Sequence, residues 1–294
     1  MNRNNKRDLQ VLRFLWKYKV ATTAMLYERY FSNVSHRTAY DCIKRLQKEK
    51  LISIKMTTKG LWPVWELTKK GLKEISNEIP ELACKVAKSE NHVHDLICNS
   101  IHLGPTINTP NKGITFVTEQ MLRSVDESIL PEIVPSSKEH RPDGFWIFPK
   151  GENIKLIALE VELNQKSKKR YEDLTYYYGD FPRNARCIWV VKSKVTASTI
   201  LSSLYKTRPE YYIHNFILLK DILKLGWLAP IFLGPNKKSN IHELVNSNTP
   251  HKLPTNSSRM FIKYLLDNRL SYENHSVLNE KQLFSRANSI GVSL

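Results

Sequence analysis

Three carboxylates in the middle of the chain stand where a divalent cation would need them. Asp143 follows Pro142 at the head of an apolar stretch, GFWIF, and Glu160 and Glu162 close the run IKLIALEVE. Residues two apart on a strand project from one face, so the two glutamates point together. The turn PKGEN joins the two stretches, and the hairpin it implies brings Asp143 alongside them. Three converging carboxylates make a hard oxygen cage suited to Mg²⁺ or Mn²⁺. Such an ion activates water and offsets the charge that builds on a phosphodiester under attack. Pro-Asp is also a common turn dipeptide, and Glu-x-Glu suits the polar face of a strand. The order of the residues and the apolar run Leu156-Ile157-Ala158-Leu159 before the glutamates carry the argument, because a covered carboxylate is costly unless paired or metal-bound.

The elements that must position these residues follow from periodicity. A helix is expected over 90–103, then a strand, GITFVTEQ, ending at Glu119, and a long Pro/Ser loop. The strands RPDGFWIF and IKLIALEVEL come next, followed by a helix over 165–178, the strand RCIWVV, the helix STILSSLY and a last strand, YYIHNFILL. Helix, three strands, helix, strand is the order of the PD-(D/E)XK nuclease core, a restriction-endonuclease-like α/β fold expected over residues 88–225. Glu162 occupies the place of the lysine in that signature. The missing positive charge is expected from Lys166, one turn into the following helix, or from Lys168. Glu119 is placed to reach the same site. Lys168, Lys169 and Arg170 would grip phosphates beside it, or form an ordinary solvated face.

Residues 1–80 read differently. Leu9, Leu12, Leu15 and Trp16 share one helical face; Thr22 or Thr23 is placed to cap a second helix, and Ser35 a third with Ala39, Ile43 and Leu46 inward. The strands LISIKM and VWEL then flank a turn-rich loop. Three helices and a hairpin predict a winged helix-turn-helix, so that the whole chain is α+β. The third helix would enter the major groove with Ser35, His36, Arg37 and Tyr40, supported by Lys44 and Arg45, while Lys59 in the wing lies over the backbone. This segment holds 17 Lys or Arg against 7 Asp or Glu, a surplus that suits phosphate binding.

Composition sets the frame. The chain of 294 residues carries 45 Lys and Arg against 28 Asp and Glu, a net charge of +17, which favours a polyanionic partner. It has no apolar run of membrane-spanning length and no apolar stretch at the N-terminus, so a cytoplasmic protein is expected. Its four cysteines are widely spaced, without the pairing of a structural zinc site. Residues 226–294 read as a basic C-terminal extension, mostly loop, with one helix expected over 258–270.

With these residues in view, the chain resembles the replication-relaxation family, which includes the MobC-type plasmid relaxases. The resemblance covers roughly residues 5–220. It rests on the run Leu67-Thr68-Lys69-Lys70-Gly71, a histidine-bearing helix (His92, His94-Asp95-Leu96), Arg141-Pro142-Asp143, Glu160-x-Glu162 and late tyrosines (Tyr171, Tyr177). It implies recognition of double-stranded DNA at an origin-like site and nicking of one strand by metal-activated water, with accessory mobilisation proteins as further partners. Matched to its motif, Asp143, Glu160 and Glu162 would be metal ligands, with Glu119 and His94 as helpers.

Three other readings compete. A tyrosine relaxase would use His92-Val93-His94 and one of Tyr176, Tyr177 and Tyr178, but a His-x-His motif needs a strand and this one falls in a helical pattern, where the two rings diverge. A nuclease cutting both strands would share the site. A regulator that kept the fold and lost the chemistry would explain Glu162.

Overall fold

A computed structural model describes residues 6–56, 63–76, 89–104, 113–150, 153–182, 185–207 and 213–245. The chain is mixed α and β. Its described residues divide into two compact units, 6–99 and 100–245, the division falling inside helix α5 (His92–Leu103).

The first unit runs α1 (Lys6–Tyr18), β1 (Val20–Thr22), α2 (Thr23–Leu26) prolonged by a π-helical turn (Tyr27–Phe31), α3 (His36–Lys48), β2 (Ile52–Met56), β3 (Val64–Leu67) and α4 (Lys69–Ser76). Helices begin where a hydroxyl satisfies a free amide. Thr22 accepts from the Met25 N–H and Ser35 from the Thr38 N–H, each at 3.1 Å. α1 buries Val11, Leu12, Leu15 and Trp16, and α3 buries Ala39, Ile43 and Leu46. The strands form an antiparallel sheet in the order β1-β3-β2. The three-residue β1 was not visible in the sequence pattern.

Packing explains the Leu-Thr-x-x-Gly run. The Thr68 hydroxyl lies 2.7 Å from the Lys50 carbonyl and 3.0 Å from that of Leu51, and accepts the Gly71 N–H at 3.0 Å. A Cβ on Gly71 would sit 2.1 Å from the Leu51 carbonyl oxygen, so only glycine lets α4 approach so closely. Elsewhere in this unit Asp8, 1% exposed, takes the Arg45 guanidinium at 2.6 Å and the Cys42 thiol at 3.3 Å, tying α1 to α3. The start of α5 is held by a Lys19–Asp95 ion pair at 3.1 Å, and by the Asn99 amide donating to the carbonyls of Tyr18 and Val20.

In the second unit β4 (Thr115–Thr118) is followed by α6 (Glu119–Ser124), β5 (Gly144–Lys150), β6 (Asn153–Glu162), α7 (Lys168–Gly179), β7 (Arg186–Val191), α8 (Lys194–Thr207) and β8 (His214–Leu218). The five strands lie in chain order, β4-β5-β6-β7-β8. β4, β5 and β6 pair antiparallel, while β6, β7 and β8 pair parallel. β6 is therefore central, and the helical crossovers through α7 and α8 account for the parallel half. One face of the sheet, with Leu156, Ala158, Cys187, Trp189 and Val191, packs on Tyr171, Tyr177 and Tyr178 of α7 and on Ile200 and Leu204 of α8.

Three local expectations need correction. The helix expected from 165 starts at Lys168, because Ser167 caps it, so Lys166 lies in the preceding loop. Glu119 does not end a strand; Thr118 does, and its hydroxyl caps α6, of which Glu119 is the first residue. Residues 226–245, expected to be loop, belong to the unit through α9 (Leu219–Leu225), a 3₁₀ turn and α10 (Ile241–Leu244), with Trp227, Ile231 and Ile241 buried. Backbone bonds from Phe216 to Leu233 and from Phe232 to Phe216 cover the β8 edge. The wing position Lys59 and the helix expected over 258–270 lie outside the described residues. Among the described residues no helix is long and apolar enough to cross a membrane.

Candidate functional site

The β5–β6 hairpin sets the carboxylates. Gly144 pairs with Leu159, so Asp143 meets the end of β6 just ahead of the paired region. Its N–H donates to the Leu159 carbonyl at 3.0 Å, and its Oδ2 accepts the Val161 N–H at 2.6 Å. Glu160 and Glu162 project from the face of β6 that carries Leu156 and Ala158, opposite Trp189 and Val191 of β7. Both are buried, at 7% and 4% exposure, depths at which a carboxylate needs partners.

Each glutamate has them. Glu160 Oε1 accepts from His140 Nε2 at 2.5 Å and from the Tyr178 hydroxyl. Glu162 Oε2 meets the Lys166 ammonium at 3.0 Å. Burial raises the Glu162 carboxyl above its ordinary range; Lys166 pulls it down and Glu160 pushes it further up. Tyr171, whose hydroxyl accepts the Lys166 N–H at 2.8 Å, is pushed up to about 12, chiefly by burial. Burial also drives the Tyr178 phenol and the Cys187 thiol far upward, with Glu160 adding to both.

Asp143, Glu160, Glu162 and Lys166 come together at the end of β6. Lys168, Lys169 and Arg170 lie exposed on the first turn of α7. Glu119 pairs with Arg123 along α6, at 2.6 Å. His94 belongs to the first unit, where it meets Cys98 and Asp95. His140 and Tyr178 were missed as partners of Glu160. For His140 the available signal was its place three residues before Asp143; for Tyr178 it was the aromatic triplet, read there as a rival nucleophile or as helix aromatics packed against the sheet.

The donor set suits a hard divalent ion in type, since every group is a carboxylate oxygen. The elevated Glu162 carboxyl is also what a neighbouring positive charge would bring down. Among the described residues, however, the oxygens of Asp143, Glu160 and Glu162 do not close into one cluster. Asp143 turns to Val161, Glu160 to His140 and Tyr178, and Glu162 to Lys166. An ion would have to displace some of these partners.

In the first unit, Ser35, His36, Arg37 and Thr38 form an exposed edge at the start of α3. His36 stacks on Tyr27 with ring centres 4.0 Å apart, and Arg37 pairs with Asp41 at 3.0 Å in solvent. Lys44 lies over the Tyr40 ring. Arg45 differs from its neighbours, because its guanidinium is engaged with buried Asp8.

The chain matches no protein-family description and no curated protein. Among solved structures it is similar to restriction endonuclease FokI bound to DNA, with a TM-score of 0.26 and 12% identity, over 75% of this chain and 44% of that one. The chain therefore spans less than half of that protein, and an overlap of this size does not establish a shared fold.

Proposed function

We propose that the chain is a DNA-binding, metal-dependent DNA endonuclease of the nicking, relaxase type. In this reading the first unit is a winged helix-turn-helix and the second a PD-(D/E)XK-like core. The observation that carries it is the end of β6: two buried glutamates on one face and an aspartate locked to the strand between them, next to the basic first turn of α7. A net charge of +17 supports a polyanionic substrate.

Asp143, Glu160 and Glu162 would hold Mg²⁺ or Mn²⁺, which when bound supplies an activated water and offsets charge on the scissile phosphate. Lys166 supplies the positive charge absent at position 162 and is released toward phosphate when Glu162 changes partner. Lys168, Lys169 and Arg170 hold the backbone of the cut strand. His36, Arg37 and Tyr40 read base edges from α3, with Ser35 fixing the helix start and Lys44 on phosphate. The resemblance noted above supplies the finer reading, an origin-like duplex site with accessory mobilisation proteins.

One observation favours a second reading. Every carboxylate at the end of β6 already has a partner within the protein, as it would in a DNA-binding regulator that had lost the chemistry.

The test uses supercoiled DNA carrying the sequences that flank the coding region, incubated with the full chain and Mg²⁺, Mn²⁺ or EDTA, beside Asp143→Asn and Glu160→Gln. Metal-dependent open circles, lost in both variants and free of attached protein, are expected. Linear product would replace nicking by double-strand cutting. A 5′ protein adduct would favour tyrosine chemistry; burial opposes it at Tyr177 and Tyr178 but not at Tyr176, which is 57% exposed. Binding by all three proteins with cleavage by none would leave the regulator.

A further inference from the structure

We infer that His102 on α5 is the positioning residue for Asp143, a role that rests on the carboxylate reading above. The ring is 1% exposed, and its Nε2 lies 3.0 Å from the Asp143 carbonyl oxygen. A carbonyl can only accept, so Nε2 carries the proton and donates. The same carbonyl takes the Glu119 N–H at 3.3 Å. With the Asp143 N–H on Leu159 and Oδ2 on Val161, the backbone and side chain of Asp143 are held from three elements, α5, α6 and β6.

The neighbouring glycine is shaped to the same ring. A Cβ on Gly144 would lie 2.5 Å from both Cε1 and Nε2 of His102, so the imidazole occupies the space a side chain would fill. Trp146 and Phe116 meet the ring edge to face, at 5.7 and 6.3 Å between centres. The imidazole is thus fixed by packing, its donor aimed at one peptide, and that peptide carries the aspartate. Without the donor, the Asp143 carbonyl would lose the shorter of its bonds from α5 and α6, and the carboxylate would lose its fixed direction toward the end of β6.

Two variants separate the donor from the ring. His102→Phe keeps an aromatic ring against Gly144 and Trp146 but cannot donate; His102→Gln gives up the ring and keeps an N–H at the place of Nε2. Mn²⁺ binding to the full chain, without DNA, is measured by titration calorimetry for wild type, both variants and Asp143→Asn, alongside nicking rates and thermal melting. Loss of an outer partner of a ligand weakens metal binding about tenfold or more. His102→Phe should show that loss in Mn²⁺ affinity and in kcat while still melting cooperatively, and His102→Gln should recover most of both. If His102→Phe binds Mn²⁺ like wild type, or if Gln loses as much as Phe, His102 is only a packing residue. If Asp143→Asn also binds Mn²⁺ like wild type, the carboxylate reading itself fails, and the role of His102 fails with it.

Discussion

Asp8→Ala tests how α3 is held. Asp8 is buried in α1, and its Oδ1 takes the Arg45 guanidinium at 2.6 Å and the Cys42 thiol at 3.3 Å, both from α3. A hydrogen bond to a charged group contributes about 1.5–3 kcal/mol. Breaking a fully buried ion pair costs roughly 3–5 kcal/mol, but the Arg45 side chain is 38% exposed, so the freed guanidinium can recover hydration. The expected loss is therefore about 2 kcal/mol, read as a lower urea midpoint with an unchanged slope. Arg45→Ala should cost more than Asp8→Ala, because it takes the guanidinium from a carboxylate that stays buried, and the double variant should cost less than Arg45→Ala alone. The same geometry makes a statement about DNA. Lys44→Ala should lower the salt slope of DNA binding by about one counterion, whereas Arg45→Ala should leave the slope as it is. If Asp8→Ala costs less than about 0.5 kcal/mol, or if Arg45→Ala flattens the slope like Lys44→Ala, then Arg45 serves phosphate and the packing argument is wrong.

Two further outcomes follow from single residues. Glu162 has a folded pKa above its ordinary value of 4.5, so the folded state holds that proton more tightly than the unfolded chain. Its contribution to stability is therefore lost as pH rises through the window above that value. Glu162→Gln in EDTA should be no less stable than wild type at neutral pH, with any advantage shrinking toward pH 4.5; Mn²⁺ should raise the melting temperature of wild type more than that of the variant. A variant markedly less stable than wild type at neutral pH would mean that the Lys166 pair outweighs the burial. At Gly71 an added methyl has no room against the Leu51 carbonyl, so Gly71→Ala should destabilise the first unit by about 1–3 kcal/mol; a neutral result in urea unfolding would show that α4 can shift at little cost.

The features legible in the sequence are those fixed by local rules. Alternation puts Glu160 and Glu162 on one face whatever surrounds the strand. The caps at Thr22 and Ser35 depend only on a hydroxyl three residues before the amide it accepts. The order of the five strands and of α7 and α8 in the second unit follows from periodicity, and the Pro-Asp step announces the start of β5. A boundary could still slip by a few residues, as at Lys166 and Glu119, because Ser167 and Thr118 decide where each helix begins. Tertiary structure alone decided which charges are spent internally. Arg45 and Asp8 are 37 residues apart, His102 and Asp143 41, and Glu160 lies 20 residues from His140. No periodicity relates such pairs, since they meet only when burial closes the chain around them and each buried polar group must find the partner that packing leaves within reach.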